Sequence, residues 1–197
     1  MRKKISAAVI GLGLAAISVL ATGGSAFGHA YTDSPISRQK LCANGTVTNC
    51  GDIQYEPQSV EGPKGFPSGG PADGTICAGG NSRFSQLDDA RGGQWPATKV
   101  SAGQSHTFTW RFTASHATTD FKYFITKNGW NPNSKLTRAS LESAPFLTVP
   151  YNGRRPPSTL SHSGTMPSGK SGKHLILAVW TVADTSNAFY ACSDVQF

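Results

Sequence analysis

The chain has 197 residues, and 18 Lys and Arg against 11 Asp and Glu give it a formal charge of +7 at neutral pH. Three of those basic residues, Arg2, Lys3 and Lys4, sit in the first four positions; without them and the segment they open, the charge falls to +4. A mild excess with no Lys/Arg run argues against nucleic acid as a partner.

In chain order, the basic head leads into a mostly apolar run from Ile5 to Leu20 and then into small residues from Ala21 to Gly28. That order reads as a secretory signal peptide over residues 1–28. A membrane anchor fits less well. The run falls short of the ~20 residues a span needs, contains Gly11, Gly13 and Ser18, and is followed by no basic stop-transfer cluster. Ala26 and Gly28 take the −3 and −1 positions for a cut before His29, whereas a cut after Ala26 would leave Phe27 first. The expected product is secreted to the extracellular space, has no membrane association after cleavage, and runs as one domain over residues 29–197. That length is enough for a substantial core.

Four cysteines on an exported chain predict two disulfides, with three possible connectivities. Cys42 and Cys50 flank the short segment "ANGTVTN" and make a small local loop. Cys77 and Cys192 are the pair that remains, tying a glycine-rich loop to the final strand.

"SHTFTWRFT" (Ser105 to Thr113) alternates apolar and polar residues, the period of a half-buried strand. "FKYFIT" (Phe121 to Thr126), "LILAVWTVA" (Leu175 to Ala183) and "DVQF" (Asp194 to Phe197) predict further strands, the second buried on both faces. No long amphipathic helical pattern occurs, and "FSQLDDA" (Phe84 to Ala90) makes a short helix at most. No repeat and no linker divides the chain. The pattern predicts an all-β fold, an antiparallel β-sandwich. Between Tyr55 and Pro96 lies a long segment rich in Gly, Pro and Ser with little strand character. Segments of that kind in compact domains are functional or disordered. Its aromatic residues Tyr55, Phe66, Phe84 and Trp95 favour an ordered surface loop.

His29, as a first residue, would carry two donors, its α-amine and its ring Nδ1, which chelate one metal through a six-membered ring. An α-amine titrates near pH ~8, so a metal displaces its proton under ordinary conditions. A second imidazole would complete a planar, T-shaped set of three nitrogens, an arrangement that suits copper. The other histidines are His106, on the apolar face of a strand; His174, before the buried strand; His162, in the loop "LSHSGTMP"; and His116, just after a strand. The first three read as structural. His116 can point off the end of the sandwich, though spacing favours it only weakly.

"HAYTDSPISRQKLC", "CGDIQYEPQSVEGPKGFPSGGPADGTI", "FTASHATTDFKYFITKNGWNP" and "ILAVWTVADTSNAFY" together resemble the bacterial lytic polysaccharide monooxygenases of auxiliary activity family 10, formerly called chitin-binding proteins. The resemblance runs through nearly the whole chain after His29, and "QYEPQSVEG" is most similar to the chitin-active branch. It implies an immunoglobulin/fibronectin type III-like sandwich with a long, partly helical surface loop. Residues 29–197 would form one copper-dependent lytic polysaccharide monooxygenase (chitin-binding type 4) domain, acting as a monomer.

The resemblance also implies a site. His29, through its amine and Nδ1, and His116, through Nε2, would hold one copper ion cycling between Cu(II) and Cu(I). Ala114 and Phe189 would flank the metal axially, and Glu61 would help to position an O2 or H2O2 co-substrate. Trp180 matches a buried tryptophan near the site, a place that ordinary core packing explains equally well. Tyr55, Glu56, Glu61, Thr113, Asp184 and Asn187 would form a flat surface against crystalline chitin. An external reductant would supply electrons, and oxidation at C1 would break β-1,4 bonds. The Cys42–Cys50 pair fits the family; the second bridge varies among its members.

Three other readings compete. The same chemistry on cellulose is one, and a non-catalytic chitin-binding protein with no need of a metal is another. A glycoside hydrolase using Glu56 and Glu61 as its two carboxylates is weaker, since both lie in one loop.

Overall fold

The computed structural model describes residues 28–197. The signal-peptide reading therefore falls almost wholly on residues outside the described ones. Nine strands follow in order: β1 (His29–Ser34), β2 (Glu61–Pro63), β3 (Thr98–Lys99), β4 (Ser105–Ala114), β5 (Thr118–Ile125), β6 (Leu147–Pro150), β7 (Thr159–Thr165), β8 (Lys173–Val182) and β9 (Asn187–Gln196). One α-helix, α1 (Arg38–Ala43), follows β1.

The strands make two sheets. One has three strands in the order β1-β4-β7; the other has six, with β2-β9-β8-β5-β6 in line and β3 pairing parallel to β9. All other pairings are antiparallel. The molecule is thus the mostly antiparallel sandwich that the alternation in β4 calls for. Phe108, Trp110 and Phe112 of β4 are buried while Thr107, Thr109, Arg111 and Thr113 are not.

From Leu175 to Trp180 β8 is apolar on both faces because each face is covered by a core. Ile176, Ala178, Trp180 and Val182 join the core between the sheets, with Trp110, Phe121, Tyr123 and Phe189. Leu175, Leu177 and Val179 point the other way, into a second core with Leu41, Ile53, Phe66, Ile76, Phe84, Leu87, Trp95 and Tyr190. The Gly/Pro-rich segment is therefore a covering layer on the outer face of the larger sheet, and its large aromatics are its anchors. At roughly 1.5–3 kcal/mol for a fully buried large apolar side chain, Phe84, Leu87 and Trp95 secure it firmly.

Two disulfides reinforce the layer. Cys42 of α1 bonds to Cys50 just ahead of that layer, and Cys77 bonds to Cys192 on β9, closing a separation of 115 residues. Asp88 Oδ1 accepts from the backbone N–H of Cys77 and of Ala78 beside that bridge, at 2.9 and 3.3 Å. Arg38 of α1 makes a bidentate pair with the buried Asp194 of β9, at 2.7 and 3.2 Å.

Several expectations need correction in detail. The helix expected over Phe84–Ala90 is a 3₁₀ segment, Ser82–Asp88, with non-helical angles at Phe84. The last strand begins at Asn187 rather than Asp194, and its buried Ser193 and Asp194 are what broke its apolar signal. His162 lies on β7 rather than in a loop, with its Nε2 2.5 Å from the Tyr123 hydroxyl. Among the described residues, no helix is long and apolar enough to cross a membrane.

Candidate metal and substrate site

Antiparallel pairing brings one end of each sheet together. His29, first in β1, is registered opposite Ala114, last in β4. Thr118, first in β5, is registered with Val182, last in β8. Glu61, first in β2, faces Phe189 near the start of β9. His116 lies in the three-residue link between β4 and β5, so the sandwich itself carries it to the end where His29 sits.

Contacts around Gly28 show how close the two histidines are. A Cβ built on Gly28 would lie 2.8 Å from Phe189 Cε2 and 3.0 Å from His116 Cδ2. The residue bonded to His29 thus fills a gap walled by the rings of Phe189 and His116. Phe189 is held in turn by Trp180, stacked at 4.7 Å with the rings 26° apart. Trp180 Nε1 donates to the Thr118 hydroxyl at 2.8 Å, and that hydroxyl donates to the His116 carbonyl at 2.9 Å. A buried hydrogen-bonded chain therefore fixes the backbone of His116 from below.

The outer edge of the His116 ring is different. Its Nδ1 is buried and has no hydrogen-bond partner. The nearest carboxylate oxygen is Asp184 Oδ1, 3.5 Å away on the bend between β8 and β9. That separation is too long for a well-formed hydrogen bond.

Beside His29 opens a cleft of about 360 Å³ lined by Glu56, Ser59, Glu61, Asn81, Arg83 and Asn187 among others. Asn187 Nδ2 donates to Glu61 Oε1 at 2.7 Å. Gly62 keeps Glu61 in place from behind, because a Cβ there would come within 2.1 Å of the Gly79 carbonyl. A side chain at Gly62 would push β2 off its neighbour and carry Glu61 with it.

On the far side, Arg83 grips Glu56 at 2.5 Å and Asp52 at 3.3 Å. Tyr55, next to Glu56, is 81% exposed and stands out as the large apolar side chain left in solvent. Thr113 and Asp184 are exposed at the ends of β4 and β8. The structure places His29, His116, Glu61, Phe189, Ala114, Thr113, Asp184 and Asn187 at this one end. It places Glu56 across the cleft from His29, with Tyr55 following the 3₁₀ turn Gly51–Gln54.

Arg83, Thr118, Asn81 and Ser59 went unnoticed in the sequence. Arg83 sits far along the chain from the acids it holds, and Thr118 differs in no local way from the threonines around it; only the folded pairing reveals them.

The other histidines belong to the core. Burial pushes His106 and His174 below the ordinary imidazole range and His162 down to about 4. His174 Nδ1 lies 3.0 Å from the Thr126 hydroxyl. His106 Nε2 lies 3.3 Å from the Ser34 hydroxyl.

Among the described residues, no three His, Cys, Asp or Glu side chains gather as a metal site. A site of two imidazoles and one α-amine agrees with that, because its third donor is a backbone nitrogen that is still an amide while Gly28 is attached. The residues fit copper on three grounds. The donors are all nitrogen, the buried His116 Nδ1 can carry the proton that leaves Nε2 free as a ligand, and the gap filled by Gly28 lies between the imidazole and Phe189.

The chain from 29 to 195 matches the family model described as "Lytic polysaccharide mono-oxygenase, cellulose-degrading". It is 66% identical to an AA10 lytic polysaccharide monooxygenase from Streptomyces lividans, with a TM-score of 0.84, covering 86% of this chain and 100% of that one. A Bacillus amyloliquefaciens CBM33 structure in complex with Cu(I) is 40% identical, with a TM-score of 0.78, over 85% of this chain and 99% of that one. GlcNAc-binding protein A of Shewanella oneidensis is 42% identical over 100% of this chain and 41% of its own length. The chain spans about half the length of the curated relatives it matches.

Proposed function

Because the chain belongs to the lytic polysaccharide mono-oxygenase family, we propose that it is a secreted, copper-dependent monooxygenase that cleaves β-1,4 bonds of crystalline chitin oxidatively, at C1. The observation that carries this reading is the meeting of residue 28 with His116: a Cβ on Gly28 would lie 3.0 Å from the imidazole Cδ2, so the second histidine stands beside the residue next to His29.

In this reading, removal of residues 1–28 does two things at once. It turns the His29 amide into an amine, and it withdraws Gly28 from the gap between Phe189 and His116. His29, through its amine and Nδ1, and His116, through Nε2, would hold the metal. Bound copper supplies a one-electron redox centre, fed by an external reductant, at which O2 or H2O2 is activated.

The protein's own part is positional. Phe189 and Ala114 offer no ligand and would leave copper, held by His29 and His116, open to its co-substrate. Glu61, held by Asn187, presents a carboxylate oxygen at the edge of the cleft beside His29, where it orients the co-substrate by hydrogen bonding. Tyr55 gives an apolar face to the plane of a pyranose ring. Glu56, Thr113, Asp184 and Asn187 give hydrogen bonds to its polar rim. A surface of this kind suits a crystal face, from which no single chain need be lifted.

The GlcNAc-binding name of a relative favours chitin, while the description of the family model names cellulose. Copper-loaded protein given β-chitin and cellulose in parallel, with ascorbate, separates the two by mass spectrometry of the soluble products. Aldonic-acid chito-oligosaccharides are the expected result, and the same oxidised ends from cellulose alone would move the substrate assignment. Binding to chitin with no oxidised product, at full copper occupancy with peroxide supplied, would leave a non-catalytic chitin-binding protein.

A further inference from the structure

We infer that Asp184 is the positioning residue of His116: its carboxylate accepts from Nδ1–H and so holds the imidazole in the tautomer whose Nε2 lone pair faces the metal gap. The inference rests on the copper reading above and adds to it a role beyond substrate contact for Asp184.

His116 Nδ1 is buried and has no hydrogen-bond partner. A neutral imidazole carries one proton, on Nδ1 or on Nε2. Ligation through Nε2 requires the proton on Nδ1, and a buried N–H without an acceptor is costly. The backbone around His116 offers no acceptor: the Thr118 hydroxyl donates to the His116 carbonyl and serves the ring not at all.

The carboxylate beside it is that of Asp184, whose Oδ1 lies 3.5 Å from Nδ1. Its side chain is 40% exposed while that of His116 is 9% exposed. The imidazole is therefore the fixed partner and the carboxylate the mobile one. A rotation of the exposed Asp184 side chain would bring its carboxylate within hydrogen-bond distance of Nδ1. Asp184 lies on the bend that leads into Asn187, the first residue of β9, so that one short stretch steers both the second imidazole and, through Asn187, the carboxylate of Glu61.

The test is a copper titration of the processed protein and of its Asp184→Ala and Asp184→Asn variants, with the EPR spectrum of the Cu(II) form and the imidazole 15N shifts of the copper-free form. Loss of an outer partner of a ligating histidine weakens metal binding by roughly 10–100-fold. Asp184→Ala is expected to weaken copper binding at least tenfold and to alter the copper hyperfine splitting. Asp184→Asn, whose amide oxygen still accepts, is expected to recover most of both. The copper-free wild type is expected to show Nδ1 protonated.

An Asp184→Ala protein with wild-type affinity and spectrum, binding chitin more weakly, would make Asp184 a substrate contact alone and overturn the inference. So would a copper-free His116 protonated on Nε2. A processed wild type that takes up no copper would remove the metal reading and this inference with it, a result distinct from either.

Discussion

Asn187 donates its side-chain amide to Glu61 Oε1 at 2.7 Å, joining the first residue of β9 to the first residue of β2. The two strands run antiparallel, with Pro63 registered opposite Asn187 and Glu61 opposite Phe189. Glu61 is thereby held from two sides, by the sheet through its backbone and by Asn187 through its carboxylate.

Asn187→Ala removes the second of these restraints. A hydrogen bond to a charged group contributes about 1.5–3 kcal/mol, so the rate of oxidised-product formation is expected to fall about tenfold or more. Copper affinity should not change, since the Asn187 side chain hydrogen-bonds to neither histidine. Initial rates at saturating peroxide, with copper dissociation constants for both proteins, measure the two quantities. An unchanged rate would show that the orientation of Glu61 does not matter to turnover.

Asp88 gives a prediction about pH. Burial pushes its carboxyl up to about 6, even though the N–H groups of Cys77 and Ala78 and the positive charges of Arg38 and Lys135 all favour the ionised form. The folded protein then holds this proton more tightly than the unfolded chain does. The corresponding stability is fully present below pH 3.8 and is lost as the pH rises through about 6. Asp88→Asn keeps an acceptor oxygen and has no charge to bury. Its stability should differ little from wild type near pH 4 in this respect and gain on it towards pH 7, by roughly 2–3 kcal/mol. Thermal unfolding of both proteins from pH 4 to pH 8 tests this; a gap that stays constant with pH would contradict it.

How far the sequence discloses these arrangements depends on how local they are. β4 is legible because its alternation is written in nine consecutive residues, and β8 because a strand covered on both faces must be apolar throughout. β9 is half hidden. Its buried Asp194 is answered by Arg38, 156 positions away, and no local pattern shows that a charge has its partner. β7 is polar at most positions, as an edge strand can be, and its histidine therefore reads as part of a loop. The outer layer shows its anchors, Phe84 and Trp95, and nothing of its shape, which 3₁₀ turns and glycines at positive φ determine. At the site, His29 and His116 can be named from the resemblance and from the chemistry of an amino-terminal imidazole. The pairings that give them neighbours, Ala114 with His29, Asp184 with His116 and Arg83 with Glu56, are all products of register between distant segments.

The most direct measurement is the native mass of the protein recovered after export, with copper supplied. A chain that starts at His29 and carries one copper ion is expected, and a His116→Ala variant that starts at the same residue, lighter only by the substitution, carries none. A chain that starts at Phe27, or one that starts at His29 and stays metal-free, would contradict this, since neither has three nitrogens gripping one ion.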